Sequence, residues 1–164
     1  MDLLQWHGYG QISRIIQWKT GGSASHSGIV CCLKDVDRVL TLHAVRKGAR
    51  PEPLSQILMH YDGEVWWHPL KADYRPYMGL AFNWMYDHIG TRYDFGGLFK
   101  NLLGKTSANA AALFCSEYLF LGWQYAAIHL GVKLLAHLID IKKAPVPSEM
   151  PALRMYHEEG IRIL

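Results

Sequence analysis

Apolar and polar positions change their spacing several times along the chain, and each change predicts an element. In "QISRIIQWKT", Ile12, Ile15 and Ile16 recur at helical spacing and "GGS" follows as a stop, which predicts a short helix. "SHSGIVCCL" and "RVLTLHAV" are instead rich in β-branched and apolar residues, and the polar "KDVD" between them predicts a hairpin. "GEVWWHPL" predicts a third strand, ended by Pro69. The stretch before it, "RKGARPEPLSQILMHYDG", carries prolines and turn glycines and reads as a long connection with one helical turn around "LSQIL".

Further on, Tyr77, Leu80, Ala81, Trp84, Met85 and His88 share a helical face between Pro76, suited to a first turn, and Gly90, suited to a stop. "TRYDFGGLFKNLLGKTSANA" reads as a loop leading to a second helix that starts near Asn109 or Ala110. From Leu113 to Ile139 the chain is strongly apolar, but Glu117, Gln124, His129, Lys133 and His137 interrupt it. That pattern predicts buried helix, broken near Gly131, and not a membrane span. The proline-bearing end, "KKAPVPSEMPALRMYHEEGIRIL", reads as an extended tail over the surface. No internal repeat is present.

Composition narrows the class. A chain of 164 residues that is half hydrophobic, with six Trp and nine Tyr, suits one packed domain over residues 1–164. A net charge of +3, with no run of Lys or Arg, gives no electrostatic footprint for nucleic acid. "MDLLQWHGYG" has the form of neither a secretory signal nor an anchor, so a cytoplasmic location is expected, and three cysteines do not make a disulfide framework.

Two short stretches carry candidate chemistry. Cys115, in "AALFCSEYLF", lies near a predicted helix start, where the macrodipole and free backbone N–H groups favour thiolate. A nearby imidazole would complete a nucleophilic pair able to rest as thiolate and imidazolium, and the N–H groups of Cys115 and Ser116 would face the developing oxyanion. The ordinary alternative is a buried packing thiol, since free Cys is among the most buried residue types. His26 leads a strand in which His26, Gly28, Val30 and Cys32 share a side, and Val39, Thr41, His43 and Val45 share a side of the next. If those sides coincide, His43 can hold the tautomer of His26 as the third member of a triad does. Two histidines bonded in a half-buried sheet remain the alternative. No HxxxH or CxxC pair is present, so no metal and no cofactor are expected, and "GKT" lacks the glycine of a phosphate loop.

"ISRIIQWKTGGSASHSGIV" and "FCSEYLF", with "YDF" before the cysteine and a Pro-Ser-Glu segment after it, resemble the circularly permuted, papain-like cysteine hydrolases of the NlpC superfamily. The order of histidine, polar residue and cysteine matches the permuted, YiiX- and YaeF-like branch, related to the lecithin retinol acyltransferase-like proteins. The resemblance implies an α+β fold, a small curved antiparallel sheet packed on the helix that carries the cysteine. It implies Cys115 as nucleophile, His26 as general base, His43 as the third polar residue and Tyr93 as an aromatic that helps hold the oxyanion. The expected activity is that of a cysteine peptidase, amidase or thioesterase of bacterial or phage type, acting through an acyl-enzyme on a small peptide, amide or acyl-containing substrate. A lipid-directed acyltransferase or phospholipase, or a non-catalytic peptide- or lipid-binding module, are the alternatives.

Overall fold

A computed structural model describes residues 1–45, 47–90, 109–142 and 144–164, with the backbone alone over 109–114. Six strands form one sheet: β1 (Leu3–Gly8), β2 (His26–Leu33), β3 (Arg38–Val45), β4 (Gly48–Pro53), β5 (Gly63–His68) and the short β6 (Ile161–Arg162). Their spatial order is β4-β3-β2-β1-β5-β6 and the neighbours pair antiparallel. Helices α1 (Gln11–Thr20), α2 (Leu54–His60), α3 (Met78–Asp87) and α4 (Asn109–Leu130) complete the mixed α and β architecture among the described residues.

The sheet separates two apolar layers. On one face Leu3, Ile29, Leu42 and Ala44 pack with Ala81 and Met85 of α3 and with Tyr118, Leu119 and Trp123 of α4. On the other, Leu4, Trp6 and Val65 pack against Leu54, Ile57 and Leu58 of α2. Each Leu, Ile, Val or Met side chain so removed from water stabilises the fold by about 1.5–3 kcal/mol. Consecutive residues of β1 therefore serve opposite layers, as the two-residue strand period requires.

The middle of helix α4 is apolar nearly all round because it is enclosed, with Tyr118, Leu119, Trp123, Ala126 and Ala127 essentially inaccessible, while Ile128, His129 and Leu130 are exposed. Gly122 lets α3 approach it: a Cβ there would stand 2.6 Å from Met85 Cε and 3.0 Å from the Ala81 carbonyl oxygen. The expected break falls at Gly131, whose φ of 60° ends the helix, and a 3₁₀ segment, Lys133–Leu138, follows.

Two sequence expectations change, and the opening residues, for which the pattern predicts no element, form β1, a central strand between β2 and β5. "GARPEP" is strand β4, and its prolines are tolerated because β4 is an edge. The proline-bearing end is not a surface tail: Met150, Met155 and Tyr156 are fully buried, the Tyr156 hydroxyl accepts from Trp123 Nε1–H at 3.0 Å, and β6 pairs with β5. The helix over the "LSQIL" turn, the β2–β3 hairpin, β5 and the Pro76-to-Gly90 helix are found where expected, the last as α3 preceded by a 3₁₀ turn, Ala72–Tyr77. Among the described residues no helix is long and apolar enough to cross a membrane.

Candidate active site

His26 is the first residue of β2 and lies across from Trp6 of β1. Its ring packs 5.0 Å from the Trp6 ring, and His43, from β3, lies 6.0 Å from the same indole. Gly28, between them on this face, has no side chain to obstruct the contact; a Cβ there would meet His43 Cβ at 3.0 Å and Trp6 at 3.1 Å. His26 Nε2 and His43 Nδ1 are 2.9 Å apart. The chain of polar groups then continues into a residue that sequence reasoning missed, for His43 Nε2 lies 3.2 Å from Glu52 Oε2. Glu52 reaches it because β4 pairs with β3 in the register Thr41↔Glu52 and His43↔Arg50, and Arg50 holds the other carboxylate oxygen at 2.7 Å.

The partners assign the protons. A carboxylate only accepts, so His43 must carry its proton on Nε2. Burial pushes the His43 pKa down, outweighing the Glu52 charge and hydrogen bond that raise it, so the ring is neutral at neutral pH and its Nδ1 is a lone pair. His26 Nε2–H then donates to that lone pair. Burial, with His43 beside it, holds the His26 pKa well below 6.5, so its Nδ1 is an unprotonated base.

Cys115 lies on α4 and is fully buried. The Ser27 hydroxyl donates to its Sγ at 3.7 Å. Ser27 and His26 are consecutive strand residues, so they project to opposite faces of β2: Ser27 toward α4, His26 toward Trp6 and His43. The β2–β3 ladder runs from Leu33↔Arg38 to Ile29↔Leu42. Beyond that pair the β2–β3 ladder ends, and the backbone N–H groups of Ser27, Ser116 and Cys115 are among the influences that pull the thiol pKa down. The thiol and the histidine pair thus flank the same end of β2 from its two faces.

Helix α4 starts at Asn109, so Cys115 lies beyond its first turn, where the macrodipole has faded. Burial pushes the thiol above its ordinary value of 9.0, against the hydrogen bonds from Ser27, Ser116 and Cys115 that lower it. The resting pair is therefore neutral thiol and neutral imidazole, in place of the thiolate and imidazolium expected from sequence. Burial likewise raises the Glu117 carboxyl, two residues on. Tyr93 lies outside the described residues. Cys31 and Cys32 sit on β2 as strand residues, half-buried and exposed.

A cavity of about 310 Å³ opens between β4 and α2 and is lined by Arg50, Glu52, Gln56, Ile57 and His60. It brings solvent-accessible space against the carboxylate end of the polar chain. Among the described residues no group of three or more His, Cys, Asp or Glu side chains is placed to hold a metal ion.

No family model matches this sequence, and no curated protein matches it. Among solved structures, the chain is similar to the crystal structure of metalloprotein yiiX from Escherichia coli O157:H7. The TM-score is 0.53 at 20% sequence identity, over 81% of this chain and 67% of that one. What is shared is the fold. The word metalloprotein describes the neighbour.

Proposed function

We propose that the chain is a cysteine hydrolase or acyltransferase of permuted papain-like architecture, with Cys115 as nucleophile and His26 as general base. The observation that carries this reading is the hydrogen-bonded chain Glu52–His43–His26, which leaves a lone pair on His26 Nδ1, with the next residue of β2, Ser27, donating to the Cys115 thiol from the opposite face. A buried imidazole with one nitrogen pinned and the other basic is what proton transfer from a thiol requires.

In the proposed reaction the start of β2 shifts so that the thiol, at rest on the opposite face, meets His26 Nδ1, and its proton passes there as Sγ bonds to the carbonyl carbon of an ester, thioester or amide. From sequence the oxyanion falls to the backbone N–H groups of Cys115 and Ser116, but in a helix that starts at Asn109 these donors serve carbonyls four residues back, so that role requires the start of α4 to open. Tyr93 is the aromatic that the resemblance assigns to the same task. Collapse breaks the bond to the leaving group, which takes the proton from His26 and departs, leaving a thioester on Cys115. Water, or another acceptor, then gives a proton to His26 and attacks the thioester, and the thiol is regenerated. His43 and Glu52 hold the imidazole and balance its transient positive charge.

A second reading, a non-catalytic binding module on this fold, is favoured by the complete burial and raised pKa of Cys115. Turnover of short- and long-chain p-nitrophenyl esters, an acyl thioester and a dipeptide amide separates the two. The hydrolase reading expects a measurable rate on at least one of them that Cys115→Ala abolishes and His26→Ala lowers by about 10²–10⁴-fold. Rates that survive in both variants, or no turnover of any substrate, favour the binding module.

A further inference from the structure

Among the described residues, helix α1 is held to the body by one side. Ile16 is 5% exposed, the Gln17 side chain donates to the carbonyls of Gly8 at 3.2 Å and Ser23 at 2.7 Å, and Ser13 lies under Gly8. These contacts fix which face looks outward. On that face Trp18 is 81% exposed, Ile12 71% and Ile15 42%, and Tyr9, just before the helix, is 50% exposed. At about 100° per residue, Ile15, Trp18 and the exposed Gln11 between them point away from the body, Lys19 and then Ile12 follow on one side, and Arg14 borders them on the other. Arg14 and Lys19 are exposed, and "QISRIIQWKT" contains no acidic residue. Glu64, which Tyr9 touches through its hydroxyl, is paired with Arg162 at 3.1 Å.

An exposed face that carries an interfacial tryptophan and two isoleucines, and whose charged residues are both cations, complements an anionic lipid surface: the apolar side chains enter the headgroup boundary while the charges meet lipid phosphates. A second copy of the chain fits less well, because pairing the same face would set Arg14 and Lys19 against their own equivalents. We propose that α1 is an interfacial element that seats the protein on an anionic membrane. The assignment is independent of the chemistry at Cys115. The two are nonetheless close in the chain, since α1 ends at Thr20 and His26 opens β2.

The test is flotation of the full chain with vesicles of phosphatidylcholine alone and of phosphatidylcholine with about one third phosphatidylglycerol. Binding is expected to the anionic vesicles, weakening as salt is raised. The double substitution Ile12→Ser with Trp18→Ser should lower the partition coefficient by about tenfold or more with an unchanged circular dichroism spectrum, since both side chains are exposed. Arg14→Ser with Lys19→Ser should remove most of the preference for anionic vesicles and its salt dependence. Equal partition of wild type and the Ile12/Trp18 variant, or no binding to either vesicle, overturns the proposal. So does light scattering that shows a vesicle-free dimer which Trp18→Ser dissociates, because the face then belongs to a second copy.

Discussion

A carboxylate that accepts a hydrogen bond from one imidazole can fix the proton positions of two, and Glu52 stands in that relation to His43 and, through it, to His26. Glu52→Gln removes the acceptor-only partner, because an amide can donate to His43 Nε2 and reverse both tautomers. On the proposed mechanism this lowers kcat by at least about tenfold while KM changes little, with a smaller loss than His26→Ala gives. The pH profile is a further check. Because burial lowers both imidazole pKa values, the acidic limb of kcat/KM should lie below 6.5 in the wild type; a limb above 6.5 would mean that His26 is solvated when it acts. His26, His43 and Cys115 are legible as candidates because their residue types suggest chemistry and strand alternation puts the two histidines on one side. Glu52 and Ser27 are not. Glu52 sits in "RPEP", which the prolines disguise as a loop, and only the β3–β4 register brings it to His43. Ser27 gains its meaning from the end of the β2–β3 ladder, which no local pattern announces.

At the scale of elements, the sequence pattern serves where an element has one wet face and fails where it has none. Helix α3 and the β2–β3 hairpin show their periods; β1, a central strand whose residues are nearly all buried, shows no alternation to read. The end of the chain misleads for a different reason. Its prolines disfavour long helices and strands, but neither the 3₁₀ segment Pro147–Ala152 nor burial, and Met150, Met155 and Tyr156 close the helical side of the core. The contact between α3 and α4 depends on Gly122, which the apolar run conceals. Gly122→Ala would gain helix propensity of about 1 kcal/mol, yet it drives a Cβ to within 3.0 Å of the Ala81 carbonyl as well as against Met85. Overpacking of that kind costs about 1–3 kcal/mol, so a net loss of stability is expected in urea unfolding. A gain equal to the propensity difference would show that the two helices separate easily.

For the whole molecule, the buried histidines tie stability to pH. A histidine whose pKa is lowered in the folded state binds its proton less readily there than when unfolded. Stability is therefore complete above 6.5 and is lost as pH falls from 6.5 toward the folded value. His26 and His43 both act in this sense, as do His7 and His68. Each contributes a slope of up to about 1.4 kcal/mol per pH unit within its window. The urea midpoint should therefore fall between about pH 8 and about pH 5, and His26→Ala should flatten that fall. An unchanged slope in the variant would mean that His26 is not desolvated in the folded protein.

The central claim is that Cys115 is acylated with His26 as its base, and the most direct measurement of it is quenched-flow peptide mass spectrometry after reaction with a p-nitrophenyl acyl ester. One acyl adduct is expected, on the peptide that contains Cys115, formed at least about a hundredfold faster in the wild type than in His26→Ala. An adduct on Cys31 or Cys32 instead, or acylation of Cys115 at the same rate in both proteins, would contradict it.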